Sequence, residues 1–428
     1  MIKIGILGLG TVGSGVVKIM KNSSGNIKKK VGTELKIDKV LVKDKNKKRN
    51  IKLNKKLLTD QAEEIINNPE IDLIVELIGG ENPAYEYIIK GIKSGKSIVT
   101  ANKLVIAKHG KEIHELAQKY EVQVCYEGSV AGGLPIIRPL RESLAANRIS
   151  EIYGILNGTT NYILTEMTKN GKDFSEALTE AQKLGYAERD PSSDISGQDA
   201  AYKISILSSI AFETFVDINS IYAEGINKIS LPDIELAEEL GYVIKLLAIG
   251  KKREDGLDVR VHPTFVPQNH PLALVNSVYN AVYLHGDAVG DVMSYGKGAG
   301  QMPTGSAVVA DIIQAAKDIY YKNPDTYSMN NYIDNKIVNI EEVENRFYIR
   351  IQVNDKPGVM AKVTKVLGDR KVSLASVLQK HRLSKVVPLV LITHPVKEKY
   401  LNDSLKELKQ LDDVLEINSV IRVEKETN

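Results

Sequence analysis

Asp199 and Lys203 stand four residues apart in "SGQDAAYKISILSSIAF", a segment with helical periodicity, so both face the same side of one helix. On a solvated helix such a pair contributes only ~0.2–0.5 kcal/mol. Here Ala200, Ala201, Ile204, Ile206 and Leu207 surround it, so the helix reads as largely buried. A charged pair on a buried helix is unusual unless it faces a cavity. A lysine beside a carboxylate in a cavity suits proton exchange with a carbonyl or hydroxyl oxygen. Just upstream, "GYAERDPSSDIS" adds Glu188, Asp190 and Asp194 around Arg189. A second lysine, Lys103 in "TANK", follows the strand-like "SIVT" at its C-terminal end, where open parallel sheets bind ligands. Taken singly, Lys103 also fits a surface lysine and the Asp199–Lys203 pair a surface decoration.

A third group is "GLGTVG", with Gly8, Gly10 and Gly13, directly after the apolar run "IKIGIL". The first glycine permits a tight turn. The second lets backbone approach a pyrophosphate, and the third lets helix and strand pack closely. The helix N-terminus supplies N–H donors and a favourable dipole, and Thr11 and Val12 would lie under a dinucleotide. The next strand closes on "VLVKD", which offers both a carboxylate for a ribose hydroxyl, Asp44, and a cation for a 2′-phosphate, Lys43. The following Lys45, Lys47, Lys48 and Arg49 favour NADP; they also fit a solvated loop, and NAD stays open.

The elements that must position these groups fall into three blocks. Residues 1–127 alternate apolar strands with helices, the pattern of βαβ units and a parallel Rossmann-like sheet. Residues 128–322 open on the glycine- and proline-punctuated "GSVAGGLPIIRPL" and mix helix and strand signals, an α+β domain. Residues 323–342 are polar and read as a linker. Residues 343–428 follow the order β-α-β-β-α-β, a ferredoxin-like unit. The predicted class is therefore α/β.

Composition narrows the partners. The 57 basic and 54 acidic residues nearly cancel, for a net charge of +3, which does not argue for nucleic acid or a membrane surface. A single cysteine, Cys125, excludes an internal disulfide framework and fits a reducing compartment. No apolar run reaches the ~18 residues of a membrane span. The N-terminus begins as a strand, so a cytoplasmic protein without a signal peptide is expected. None of the seven histidines has metal-ligand spacing, and His109 and His114 are expected to be plain solvated residues.

In order along the chain, "GLGTVG", "TANK", "YEGSVAGGLPII", "NGTTNYIL", "GYAERDPSSDISGQDAAYK" and "YGKGAGQMPTGSAV" resemble homoserine dehydrogenase over residues 1 to about 320. The segment "FYIRIQVNDKPGVMAKVTKVL" resembles an ACT domain, a small regulatory module that binds amino acids. The resemblance implies NAD(P)-dependent interconversion of L-aspartate 4-semialdehyde and L-homoserine, on the route to threonine, methionine and isoleucine, with residues 128–322 as the α+β substrate-binding, catalytic and dimerisation domain. It implies Lys203 as catalytic acid/base, Lys103 beside the nicotinamide and the reacting oxygen, and Asp199 orienting substrate and lysine. Thr159, Tyr186, Glu188, Asp194 and Asp199 become substrate contacts, with Glu188 on the substrate ammonium. Gly8, Gly10, Thr11, Val12, Gly13, Lys43, Thr100, Lys103 and Gly300 become cofactor contacts. It also implies a monovalent cation, Na+, held by Glu127 and the backbone carbonyls of Val130, Gly132 and Leu134. Relatives preferring NADP commonly carry arginine where this chain has Lys43; lysine offers a point charge without a fork, which weakens strict NADP choice.

The ACT resemblance implies a homodimer or homotetramer and an amino-acid effector such as threonine, contacted through the turn Asn354–Met360; a purely dimerising role is the alternative. Arg189 and Asp190 are left as a local structural pair. Two rival functions remain on this scaffold: another amino-acid or semialdehyde oxidoreductase, and a non-enzymatic amino-acid sensor.

Overall fold

The computed structural model describes residues 1–49, 51, 53–322, 332–379 and 385–425. The chain forms two compact units. The first joins Met1–Leu156, Tyr202–Ser220 and Tyr279–Asn335; the second joins Asn157–Ala201, Ile221–Val278 and Lys336–Asn428. Five helices carry or border candidate site residues: α1 (Thr11–Asn22), α2 (Lys103–Lys119), α3 (Gly158–Asn170), α4 (Gln198–Ala211) and α5 (Gln301–Tyr321).

The first unit holds a six-stranded parallel sheet: β1 (Ile2–Leu7), β2 (Leu35–Leu41), β3 (Leu58–Thr59), β4 (Leu73–Glu76), β5 (Ser97–Thr100) and β6 (Val124–Cys125), in the order β3-β2-β1-β4-β5-β6. All its pairings are parallel. β4 and β5 are buried along their whole length, so their apolar residues, Leu73–Val75 and Ile98–Val99, stand consecutively rather than alternating with polar ones. β1 has β2 on one side and β4 on the other, so the strand order reverses where β1 ends, the place where such sheets bind ligands.

Sequence order groups Gln301–Tyr321 with the middle block, but the fold packs α5 on this sheet. Its Val308, Val309, Ile312, Ala315 and Ala316 share one core with Ile2, Ile4, Ile6, Val16 and Met20. Glycines make the approach possible. A Cβ on Gly15 would lie 2.0 Å from the Gln301 carbonyl oxygen, so α1 accepts the start of α5 only because position 15 has no side chain. The first unit also contains an antiparallel sheet in which Tyr279–Gly286 pairs with Ile149–Ile155 and Gly290–Lys297.

In the second unit, Tyr242–Arg253 and Gly256–Pro267 form one long antiparallel hairpin. The C-terminal β-α-β-β-α-β order is present: Glu344–Asn354, Val359–Asp369, Leu374–Gln379, Val386–Thr393, Glu398–Leu408 and Val414–Val423. Its strands run in the order Val414–Val423, Glu344–Asn354, Val386–Thr393, Leu374–Gln379. The second strand of this unit, predicted over "VSLASVLQK", reaches Lys380, which lies outside the described residues.

This C-terminal sheet is not a separate bead. Val414–Val423 pairs in parallel with the hairpin strand through Thr264↔Arg422 and Phe265↔Val423. Ion pairs reinforce the seam: Arg350 to buried Asp233 at 2.9 Å, and buried Arg422 to half-buried Glu224 at 2.8 Å. Of the predicted linker, residues 323–331 lie outside the described residues. The part beyond is anchored, since Leu257 N donates to the Lys336 carbonyl at 2.9 Å and Val338 N to the Leu257 carbonyl at 2.8 Å.

Two histidines depart from expectation. His109 lies 2.8 Å from Glu81 Oε1, and His114 lies 3.0 Å from the Tyr126 hydroxyl. Both are half-buried, because α2 turns them toward neighbouring elements rather than solvent. Burial holds the His114 imidazole well below its usual pKa, at about 3.

Candidate active site

Gly8 adopts φ +104°, a conformation open to glycine, and a Cβ there would lie 2.6 Å from the Leu77 carbonyl oxygen. A Cβ on Gly13 would meet the Gly8 carbonyl oxygen at 2.4 Å, so the turn and the first coil of α1 close on each other. Gly10 is the opposite case: a Cβ there meets nothing within 4 Å. Gly10 is also the N-cap of α1 and has no side chain to cap the helix, so its first N–H groups lack a side-chain acceptor. An open surface over bare helix amides fits a dinucleotide pyrophosphate. Thr11 is exposed and Val12 half-buried beside it. Gly300, φ +126°, caps α5, whose first residue touches Gly15, so it stands next to the same helix.

Lys43 is exposed, two residues beyond the end of β2. Asp44 turns its carboxylate onto its own loop, where Oδ1 accepts the Asn46 N–H at 2.7 Å. Arg49 folds back to donate to the Asp44 carbonyl at 2.6 Å, and Lys45 pairs with Asp60 at 2.9 Å.

At the ends of β4 and β5 lies a group that sequence reading passed over. Glu76 is fully buried and accepts the Thr100 hydroxyl at 2.6 Å and the Ile78 N–H at 2.6 Å. Burial pushes its carboxyl upward, against these donors. Thr100 in turn accepts the Asn102 N–H at 3.0 Å. Asn102 caps α2 through Val105 N and donates to the Gly80 carbonyl at 2.7 Å. This chain of bonds sets Lys103 as the first residue of α2. A cation there opposes the helix dipole by ~0.3–1 kcal/mol, a placement that packing alone does not favour.

Lys203 and Asp199 lie one turn apart on α4, as their spacing predicts, and both are buried, at 9% and 3% exposure. Lys203 Nζ donates to the Leu156 carbonyl at 2.6 Å. Within the second unit, the next residue, Asn157, serves the carboxylates. Its Nδ2 donates to Asp194 at 2.7 Å and to Asp199 at 2.8 Å, while its Oδ1 caps α3 through Thr160 N. One amide therefore holds two acids and starts a helix. The "NGTT" motif contained this residue, and an asparagine before a helical run is an N-cap signal, but nothing local showed which acids it would meet.

Thr159, in the first turn of α3, donates its hydroxyl to the Tyr186 carbonyl at 2.6 Å, and the Tyr186 ring packs on Tyr162 with centroids 5.0 Å apart. Glu188 is exposed on the same loop, and its carbonyl accepts from Gln182 at 3.1 Å. Asp190 accepts the Ser192 N–H at 3.1 Å and holds its carboxyl below the usual range through the Ser192 hydroxyl, a turn lock rather than a substrate group.

The segment expected to hold a cation is buried. Ala131 and Gly132 both have φ +51°, which bends the backbone between Val130 and Leu134. Glu127 is already engaged: Oε1 accepts the N–H groups of Ile136 and Ile137, and Oε2 accepts that of Arg138 at 2.8 Å. Its own N–H goes to Asp311 at 2.8 Å, and burial raises the Asp311 carboxyl to about 7. These donors fit a cation site only in part, through Oε2 and the turn carbonyls. Among the described residues, no cluster of three or more His, Cys, Asp or Glu side chains is placed to hold a metal.

Comparison with known proteins agrees with this layout. The family model for homoserine dehydrogenase matches residues 135–313, that for the homoserine dehydrogenase NAD-binding domain residues 8–127, and that for the ACT domain residues 347–413. A homoserine dehydrogenase of Synechocystis is 46% identical over 99% of both chains. The crystal structure of a homoserine dehydrogenase from Thiobacillus denitrificans superposes with TM-score 0.93 at 41% identity, covering 99% of this chain and 98% of that one. A hyperthermophilic archaeal homoserine dehydrogenase in complex with NADPH matches with TM-score 0.62 at 28% identity, covering 73% of this chain and 97% of its own. Among the described residues no helix is long and apolar enough to cross a membrane. With a nucleotide cradle at the switch point of its sheet and relatives that match it from end to end, the chain belongs to the homoserine dehydrogenases, the nicotinamide-dependent oxidoreductases that interconvert L-aspartate 4-semialdehyde and L-homoserine.

Proposed function

We propose that Lys203 exchanges the proton of the substrate oxygen, with Lys103 beside that oxygen and the nicotinamide, and Asp199 orienting substrate and lysine. The observation that carries this is the pair on α4, buried and anchored at consecutive residues, Lys203 at Leu156 and Asp199 at Asn157. When bound, the nicotinamide delivers or takes the hydride at the substrate's carbonyl carbon. In reduction, protonated Lys203 donates from Nζ to the aldehyde oxygen; in oxidation, neutral Lys203 takes the hydroxyl proton. Asp194, Glu188, Tyr186 and Thr159 hold the amino-acid end, where carboxylates answer the ammonium.

Gly8, Gly10, Thr11, Val12 and Gly13 carry the pyrophosphate, with Thr100 and Gly300 at the cofactor's rim. NADP is the preferred cofactor: Asp44 is committed to its own loop, while exposed Lys43 offers a cation at the ribose. Na+ occupies the Glu127 segment, held by Glu127 with the carbonyls of Val130, Gly132 and Leu134. The bent backbone at Ala131–Gly132 supports this, and the amide bonds on Glu127 limit its share. The boundaries 1–127, 128–322, 323–342 and 343–428 mark the nucleotide, substrate, linker and regulatory segments along the sequence. The protein works in the cytoplasm as a homo-oligomer, and the ACT segment makes it responsive to an amino acid.

The test is a homoserine-dependent assay with NADP and NAD on the full chain and on Lys203→Ala. Loss of maximal rate by orders of magnitude, with cofactor affinity little changed, supports the role. Turnover within about tenfold of the parent refutes it.

A further inference from the structure

Glu76 is the last residue of β4, and none of these roles uses it. In register it stands between Leu7 of β1 and Thr100 of β5. Leu7 leads into the Gly8 turn, and Thr100 leads into Lys103. Glu76 therefore lies midway along the strand ends, between the pyrophosphate cradle and Lys103. The surface above it is open. Gly79 and Gly80 are exposed at φ +80° and +75°, and a Cβ on either would meet nothing within 4 Å. The turn that carries them is pinned from both sides. Ile78 N donates to Glu76 at 2.6 Å, and the Gly80 carbonyl accepts from Asn102 at 2.7 Å.

Packing alone does not ask for a carboxylate here, since burying one is costly. Both of its oxygens accept from neutral groups, Oε1 from the Ile78 N–H and Oε2 from the Thr100 hydroxyl. Burial raises the Glu76 pKa, and these two donors, the Gly79 N–H and the Asn102 side chain oppose that rise. Among the described residues Glu76 makes no ion pair, so no neighbouring cation cancels its charge. A charge held by neutral donors keeps its field across a low-dielectric interior. The ring of an oxidised nicotinamide is cationic and that of a reduced one is neutral. A carboxylate below the ring therefore discriminates between the two forms.

We propose that the Glu76 carboxylate sets the relative affinity for the two cofactor forms, favouring oxidised over reduced NADP more than a neutral residue would. The inference rests on the reading that places the nicotinamide beside Thr100 and Lys103. Its consequence is a bias toward reduction of the semialdehyde. In that direction the hydride passes to the aldehyde carbon, the aldehyde oxygen takes a proton from Lys203, and the positive charge is left on the ring above Glu76.

The full-length protein is titrated without homoserine, with NADP+ by calorimetry and with NADPH by its fluorescence. The ratio of the NADP+ Kd to the NADPH Kd is compared between parent and variants. Glu76→Gln keeps the shape of the side chain and removes its charge. It is expected to raise that ratio about fivefold or more, the scale of one unit charge acting through a partly screened interior. Thr100→Val removes one donor to the carboxylate and should move the ratio the same way, by about twofold or more. Lys103→Met reports where the ring lies, because loss of a cation beside it should lower the ratio about threefold or more. An unchanged ratio in Glu76→Gln, with the expected fall in Lys103→Met, overturns the proposal and leaves the nicotinamide where it was placed. An unchanged ratio in both variants overturns the placement and the proposal together. Equal weakening of both cofactor forms by Glu76→Gln makes Glu76 a strand clamp only and also overturns the proposal. If Glu76→Gln does not fold, Thr100→Val decides alone, and an unchanged ratio there overturns the proposal.

Discussion

Asn157→Ser separates two tasks that one side chain performs. Serine is also a good N-cap, so the variant keeps an acceptor for the start of α3. It loses both N–H bonds, to Asp194 at 2.7 Å and to Asp199 at 2.8 Å. A hydrogen bond to a charged partner contributes ~1.5–3 kcal/mol. At half-buried Asp194, water replaces part of it; at Asp199, 3% exposed, it does not. The loss at Asp199 alone then corresponds to ~10–150-fold in kcat/KM for homoserine, at about 1.4 kcal/mol per tenfold. Asn157→Ala should fall as far in kcat/KM and lose a further ~1 kcal/mol of stability with the cap. Steady-state kinetics with L-homoserine, paired with denaturant unfolding of each variant, separates the two effects. If the serine variant keeps kcat/KM within about threefold of the parent, Asn157 is only a helix cap and the positioning argument fails.

Three further outcomes follow from particular contacts. Homoserine oxidation should rise steeply between pH 7 and 10 if Lys203 is an ordinary lysine, since at pH 7 only about one lysine in 2,500 is neutral; a flat profile counts against it. Gly15→Ala forces a Cβ to within 2.0 Å of the Gln301 carbonyl oxygen, so α1 and α5 must separate at a cost of ~1–3 kcal/mol, read as a lower Tm; unchanged Tm and cofactor affinity would contradict the close approach. Lys245 is 3% exposed and bonded to the Val275 carbonyl, and burial lowers its pKa to about 7. The unfolded chain keeps that proton up to its ordinary pKa near 10.4, so above pH 7 the unfolded state binds more protons and stability rises with pH. Relative to Lys245→Met, the parent should therefore gain ~2–3 kcal/mol between pH 7 and 9, and parallel stability curves would refute the shift.

The local signals were legible because each needs only its neighbours in sequence. The glycine spacing of residues 8–13, the buried-type strands β1, β4 and β5, and the four-residue spacing of Asp199 and Lys203 are all short-range. Helix and strand periodicity follow from backbone geometry within a few residues, and the C-terminal strand and helix order emerged for the same reason. Asn157, Glu76 and Asp311 were not visible as functional groups. Besides near neighbours, each meets a partner 24 to 184 residues away, as in Thr100 with Glu76 and Glu127 with Asp311.

By itself, then, the sequence determined which chemistry the chain carries: a dinucleotide cradle, a lysine with a carboxylate one turn below it, an acidic loop and a ferredoxin-like tail. Tertiary structure alone decided how those parts are held. It packed α5 onto the nucleotide sheet through Gly15, joined the C-terminal sheet to Gly256–Pro267 through Arg422 and Val423, and turned Asn157 onto two acids at once. The reason is that burial and pairing between distant segments depend on shape and on the energy of leaving a buried polar group unmet, and neither quantity exists until the chain has closed on itself.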